Sequence, residues 1–250
     1  MINLSLLRQD TDPSQSAWIE ELFVECFYQY TDLLIEYYTT NEYYPEYPTW
    51  ERNLSFRDGF KSLTDVIKEV RDDLRDILKV AYSHGITFAD SLLGVSRPVT
   101  ITPEDERNFM RLDDTITSIF SRIDTRFYEK AHGIVKNGYE NKKPWSLIEA
   151  ELIDALERET EIASDLYSRT IVMEFVNEAM DERYHQYLVK EVDWFTADDE
   201  KVCGECVANA DGSPYPIDKA PDCPAHDRCR CILIPHDRGL LDTSTLYSSP

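Results

Sequence analysis

Five of the six cysteines fall within 29 residues near the C-terminus, in the run Cys203-Gly204-Glu205-Cys206 … Cys223-Pro224-Ala225-His226-Asp227-Arg228-Cys229-Arg230-Cys231, while Cys26 stands alone upstream. Thiols and an imidazole this dense contribute little to an apolar core, so something must bind or tie them. Two short chelating turns, Cys-x2-Cys and His-x2-Cys-x-Cys, separated by a connecting loop meet the demand of a tetrahedral zinc site. The rival use is a disulfide framework. The opening residues, Met-Ile-Asn-Leu-Ser-Leu-Leu-Arg-Gln-Asp, have neither the basic and apolar regions nor the small-residue cleavage site of a secretory signal. The expectation is a chain made in a reducing cytoplasm, where clustered cysteines serve as metal ligands more often than as disulfides.

Zinc takes four ligands, and six groups are on offer: Cys203, Cys206, Cys223, His226, Cys229 and Cys231. The expected shell is Cys203, Cys206 and His226 with one of Cys229 and Cys231, Cys231 being placed ahead. Cys223 is read as spare, or as a substitute for His226. A shell of four protein ligands leaves no position for a catalytic water, so the site is expected to be structural, with one zinc per chain. The His-x-Glu … Pro-Cys-x-x-Cys signature of zinc deaminases is absent.

The chain carries 48 acidic against 26 basic groups, a net charge of −22. Nucleic-acid binding rests on Lys and Arg neutralising phosphates, and the only basic clusters, Lys142-Lys143 and Arg228-Cys229-Arg230, are short and sit among acids. No sequence-specific nucleic-acid partner is expected. No apolar run approaches the roughly 18 residues that span a bilayer, so no membrane association is expected either. With 42% hydrophobic residues and only eight glycines, the chain is expected to be mainly α.

Helical periodicity bears this out along the sequence. Asp12-Pro13 offers an N-cap and first-turn proline, followed by Trp18, Leu22, Phe23, Phe27, Tyr30, Leu33, Leu34 and Tyr37 at helical spacing. A tyrosine-rich acidic stretch, Tyr38 to Pro48, interrupts the period and is expected to pack over a helix end. The spacing then predicts an amphipathic helix over Phe60–Tyr82, closed by His84-Gly85, with His84 a helix-end residue rather than a ligand. Another is predicted from Thr102-Pro103 to His132-Gly133. Residues 137–145 are polar turn material and the expected domain boundary. Ser146 and Glu149 form a capping box opening a short helix to about Leu156, and a further helix covers about 160–187 with Ile162 on its apolar face. The period then becomes that of a strand at 189–196, matched by Cys231–Ile234. The expected architecture is an N-terminal helical bundle (1–137), an α+β module with a small zinc-clipped β element (138–235), and a loose tail (236–250).

From about Gly138 onward the order of motifs resembles the phage head morphogenesis domain, the phage Mu F-like minor head protein family. A helix opens at Trp145-Ser146; Ser168-Arg169-Thr170 and Asn177-Glu178-Ala179 follow on the next helix. Then come Trp194 with Asp198-Asp199, Val202-Cys203-Gly204-Glu205-Cys206, Asp211-Gly212, and finally Pro224-Ala225-His226-Asp227-Arg228-Cys229-Arg230-Cys231 with an apolar strand behind it. The similarity covers about 100 residues. It departs at Asp222-Cys223-Pro224, where members carry a proline in place of Cys223, and residues 1–137 hold no motif of the family.

The resemblance implies a minor structural protein of a tailed-phage head, with the portal protein or the major capsid protein as partner. It implies a place in the virion (head interior or portal vertex), reached from the host cytoplasm during procapsid assembly, and no enzymatic activity. The tail after Cys231 is too short for the toxin or transferase domains that follow this module in some relatives. Two other readings of the residues stand beside it. A zinc-ribbon nucleic-acid binder needs a basic stripe, whereas acids outnumber bases between Trp194 and Cys231. A metal-dependent hydrolase would use Asp198, Asp199 and His226. Trp194 is expected in the core of the small module, Arg230 as an anchor for Asp198 or Asp199 or as a solvent-facing charge, and Arg169 and Thr170 as braces of the metal element.

Overall fold

Helices in this chain end later than their glycines indicate, because each glycine meets a different need. In the computed structural model, which describes residues 17–39, 56–95, 103–197 and 200–236, the chain forms helices α1 (Ala17–Thr39), α2 (Phe56–Leu92), α3 (Pro103–Glu140) and α4 (Trp145–Gln186). These lead into strand β1 (Glu191–Phe195), helix α5 (Gly204–Asp211), strand β2 (Tyr215–Pro216), a 3-10 turn (Ile217–Lys219) and strand β3 (Ile232–Pro235). The protein is thus mainly α with a small three-stranded sheet, as its composition and periodicity require. The Asp12-Pro13 helix start and the Tyr38–Pro48 stretch beyond Thr39 lie outside the described residues. No described helix is long and apolar enough to cross a membrane.

The helix predicted over Phe60–Tyr82 continues through His84-Gly85 to Leu92. A Cβ on Gly85 would lie 2.4 Å from the Val176 carbonyl oxygen and 2.9 Å from Ala179 Cβ, so this glycine serves close approach to α4. His84 is buried within the helix rather than marking its end. The actual C-terminal glycine is Gly94, at φ 67°: its N–H donates to the Ser91 carbonyl, and Val95 N–H donates back to Asp90. Likewise α3 does not stop at His132-Gly133. It runs to Glu140, past the boundary expected at 137/138, with Val135 buried beyond the exposed Gly133.

The two helices predicted over 146–156 and 160–187 are one. The interruption read from Glu157 to Thr160 arises because polar residues occupy the buried stripe there: Glu159, Thr160 and Ser164 continue the face of Leu152 and Leu156, while Ile162 is 50% exposed. Glu159 pairs with Arg126, and Thr160 Oγ1 donates to the Leu156 carbonyl. The helix opens at Trp145, with the Pro144 carbonyl accepting from Leu147 and Ile148, so Ser146 sits inside the first turn rather than capping it.

The chain divides into two compact units that do not follow sequence order. One comprises Phe23–Arg75 and Asp113–Asp165. Its core gathers Phe23, Phe27, Tyr30, Phe120, Phe127 and Leu152, and the Tyr30 hydroxyl donates to the buried Asp124. Cys26 belongs to this unit and is buried, its thiol pushed up to about 12 by desolvation. The other unit comprises Met1–Leu22, Asp76–Leu112 and Leu166–Pro250. There Ala81, Phe175, Val176 and Met180 form the helical part of the core, and the Arg183 guanidinium pairs with both oxygens of Asp90 at 2.8 and 2.9 Å. The sheet lies in this unit in the order β2-β1-β3, all antiparallel, with Val192 opposite Pro235 and Phe195 opposite Ile232. Trp194 is buried on β1, as expected, together with Val192 and Ile234.

Candidate metal centre

Between β1 and β3 the chain has almost no apolar core. From Glu200 to Cys231 the only buried residues are Cys206, Cys229 and Cys231. The first chelating turn is the start of α5. Cys203 is its N-cap in extended conformation, and its Sγ accepts the Cys206 N–H at 3.4 Å. That hydrogen bond is the main reason the Cys203 thiol is held below its ordinary pKa, and the helix N-terminus favours the same anionic form.

The second turn brings His226 to the first. Its Nε2 lies 3.1 Å from Cys203 Sγ and 3.2 Å from Cys206 Sγ. Nδ1–H donates to the Asp227 carbonyl at 2.8 Å, so in the neutral ring it is Nε2 that has a lone pair to ligate with. The chain then reverses at Arg228, φ 61°, with the Cys229 N–H donating to the His226 carbonyl. Cys229 Sγ reaches within 3.7 Å of Cys206 Sγ.

The donor atoms fall into two groups, Cys203–Cys206–His226 and Cys206–Cys229–Cys231, each with its donor atoms within 4.8 Å of one another. Both groups are able to hold a metal ion, and Cys206 belongs to both. All five expected metal ligands are therefore brought together. Cys223 is in neither group: its Sγ donates to the Cys231 carbonyl at 3.2 Å, and burial raises its pKa. The hydrogen bond from the Cys231 thiol, followed by backbone N–H groups, lowers Cys229 to about 5, whereas desolvation pushes Cys206 up to about 12. Cys231, the donor in that bond, is raised. An ion held here would deprotonate the thiols that ligate it.

Helix α4 holds this loop with a row of three side chains seven residues apart. Thr170 Oγ1 accepts the Arg228 N–H at 3.0 Å, Asn177 Nδ2 donates to the Cys231 carbonyl at 3.2 Å, and the Tyr184 hydroxyl donates to the Leu233 carbonyl at 3.0 Å. Of the two expected braces Thr170 is one, while Arg169 pairs instead with Glu20 at 3.2 Å. The parts of Asn177 and Tyr184 were missed, although the i, i+7, i+14 spacing of hydrogen-bonding side chains on a helix facing a β element is a readable signal. Arg230 is half-buried, and its expected partners Asp198 and Asp199 lie outside the described residues.

Compared with known proteins, the chain matches no family model, no curated protein and no solved structure.

Proposed function

We propose that the chain is a structural minor protein of a tailed-phage head, portal-associated and active in procapsid assembly, whose C-terminal loop is clipped by one structural zinc. The observation that carries the reading is the convergence of the motif residues behind the phage head morphogenesis resemblance. Thr170 and Asn177, far upstream of the cysteines, bond the loop holding His226, Cys229 and Cys231, and His226 meets Cys203 and Cys206.

Zinc suits this donor set. Zn–S bonds of about 2.3 Å and Zn–N bonds of about 2.1 Å in a tetrahedron place donors roughly 3.5–3.8 Å apart. The 3.1 and 3.2 Å from His226 Nε2 to Cys203 and Cys206 need only a few tenths of an ångström of expansion. Cys229 Sγ, 3.7 Å from Cys206 but outside the Cys203–Cys206–His226 group, must move toward that group to close the shell. Cys203, Cys206, His226 and Cys229 make up the proposed shell. Cys229 is preferred to Cys231 as fourth ligand because His226-x-x-Cys229 repeats the Cys203-x-x-Cys206 turn and because its Sγ lies 3.7 Å from Cys206 Sγ. Four protein ligands fill a zinc shell, which supports a structural role rather than an enzymatic one.

Elemental analysis of protein purified without chelator should give about one zinc per chain, with Cys229→Ser weakening binding more than Cys231→Ser. For the head-protein reading, mass spectrometry of heads from the phage whose genome encodes the chain should find it there, and it should co-purify with the portal. A chain absent from both heads and portal complexes overturns that reading.

A further inference from the structure

The donors of the metal centre stand as two triads with one member in common, Cys203–Cys206–His226 and Cys206–Cys229–Cys231, rather than as one set of four. The two differ in chemistry and in access. The first mixes sulfur with an imidazole nitrogen, and its Cys203 and His226 are half-buried. The second is sulfur throughout and closed to solvent, with Cys206, Cys229 and Cys231 only 2%, 1% and 3% exposed. Among the described residues no carboxylate or histidine joins it. Even Cys223 stays out, its thiol turned to the Cys231 carbonyl, which Asn177 on α4 also holds. One zinc that draws Cys229 into the first triad therefore leaves Cys231 unused in a pocket made of three thiols.

We propose that the buried triad Cys206–Cys229–Cys231 is a copper(I) site, and that a second copper(I) on Cys203, Cys206 and His226 makes with it a pair bridged by the Cys206 thiolate. Coordination number argues for this ion. A closed triad offers three donors and no water as a fourth, whereas zinc completes a tetrahedron. Copper(I) is satisfied by a trigonal set. Softness argues the same way, because thiolate ligands select copper(I) among the first-row ions. Burial then keeps water and oxidants from the monovalent ion. Cys206 can serve both triads because a metal-bound thiolate sulfur keeps lone pairs for a second ion. The negative charge that remains has Arg228 and Arg230 on either side of Cys229 in the chain. This goes beyond the single structural zinc and the head-protein reading: it concerns a different ion at the same cysteines and rests on their grouping alone.

The test adds copper(I), as its acetonitrile complex and without oxygen, to the reduced full-length protein as purified. Bound ions are counted by native mass spectrometry, with bathocuproine disulfonate present to strip loosely held copper. About two copper(I) per chain are expected for the unaltered protein and for Cys223→Ser, but about one for Cys231→Ser. X-ray absorption of the loaded protein should show copper–copper scattering, as a shared thiolate requires, and Cys231→Ser should abolish it. Circular dichroism checks that both variants keep their helices. Zinc content before copper is added is a separate reading: Cys231 lies outside the proposed zinc shell, so Cys231→Ser should still carry about one zinc. Protein that carries no zinc but takes up the copper pair would overturn the zinc clip and leave this proposal standing. A single copper(I) on the unaltered protein overturns the proposal, as do two retained in Cys231→Ser, one lost in Cys223→Ser, or a pair without copper–copper scattering.

Discussion

Backbone geometry at single residues sets the clearest expectations. A Cβ on Gly85 would collide with the Val176 carbonyl, and backbone cannot swing aside as a flexible side chain does. Gly85→Ala is therefore expected to cost about 1–3 kcal/mol of stability. Gly133, also helical, has nothing within 4 Å of a new Cβ. There alanine is expected to stabilise by roughly 0.5–1 kcal/mol through its helix propensity. Urea denaturation of the two variants measures both, and opposite signs are the outcome to look for. Leu188 gives a third case. It closes α4 at φ 56°, with Val189 N–H donating to the Tyr184 carbonyl, and is 78% exposed. An L side chain in this conformation is strained, so Leu188→Gly should gain about 0.5–1 kcal/mol despite removing a leucine. These positions also show what a sequence conceals. Gly85 and Gly133 both follow a histidine near the end of an apolar period and read as stops, yet one is a contact point and the other an exposed helical residue. The neighbour that separates them, Val176, lies far along the chain.

Among elements, α4 joins more of the structure than its sequence pattern indicates. Its apolar period is recognisable at Val172, Phe175, Val176 and Met180, but polar groups carry much of the rest of its buried face. Arg183, 8% exposed, meets Asp90 on α2 through two charge-assisted hydrogen bonds. Asp90→Ala leaves the guanidinium buried without that partner and is expected to cost about 3–5 kcal/mol, whereas replacing both residues by leucine should recover most of the loss. Chemical denaturation of the single and double variants decides between a needed pair and a dispensable one. The polar row toward the metal loop should be graded by burial. Tyr184, 0% exposed, donates its hydroxyl proton to the Leu233 carbonyl, and Tyr184→Phe should cost about 1–3 kcal/mol. Thr170→Val frees an Arg228 N–H that water reaches, and should cost less. Periodicity alone reads such a helix as two, because a buried Glu159 or Thr160 looks like a break until its partners are known. The cysteine turns were legible for the opposite reason: their chemistry is carried by local spacing. His226 stands beside Cys203 and Cys206 as that spacing leads one to expect, while Cys229 and Cys231 both group with Cys206.

At the scale of the whole molecule, stability is divided between two kinds of core. The helices and the sheet bury aromatic and aliphatic side chains, and β3 is buried along its length. The segment from Glu200 to Cys231 buries only three cysteines, so its own apolar burial offers little to order it, and a metal held by those cysteines would supply what is missing. Metal binding in small zinc peptides is worth about 10–16 kcal/mol near neutral pH, ample to order a loop of this length. Two transitions should follow. Chelation, or Cys203→Ser, is expected to release residues 200–231 to proteolysis while the helical circular dichroism falls by little more than the contribution of α5. The helices should then melt separately and at a temperature nearly independent of metal. Trp194 is a convenient reporter at the border, on β1 beside the loop, with its backbone N–H bonded to Ser213 Oγ within the segment 200–231. Its fluorescence should change with the first transition, even though β1 keeps its pairing with β3. If one cooperative transition abolishes both signals, the loop and helices form a single folding unit, and the argument for a separately clipped module fails. If chelator leaves the loop protected, the cysteines are not held by an exchangeable metal, and the zinc clip falls with it.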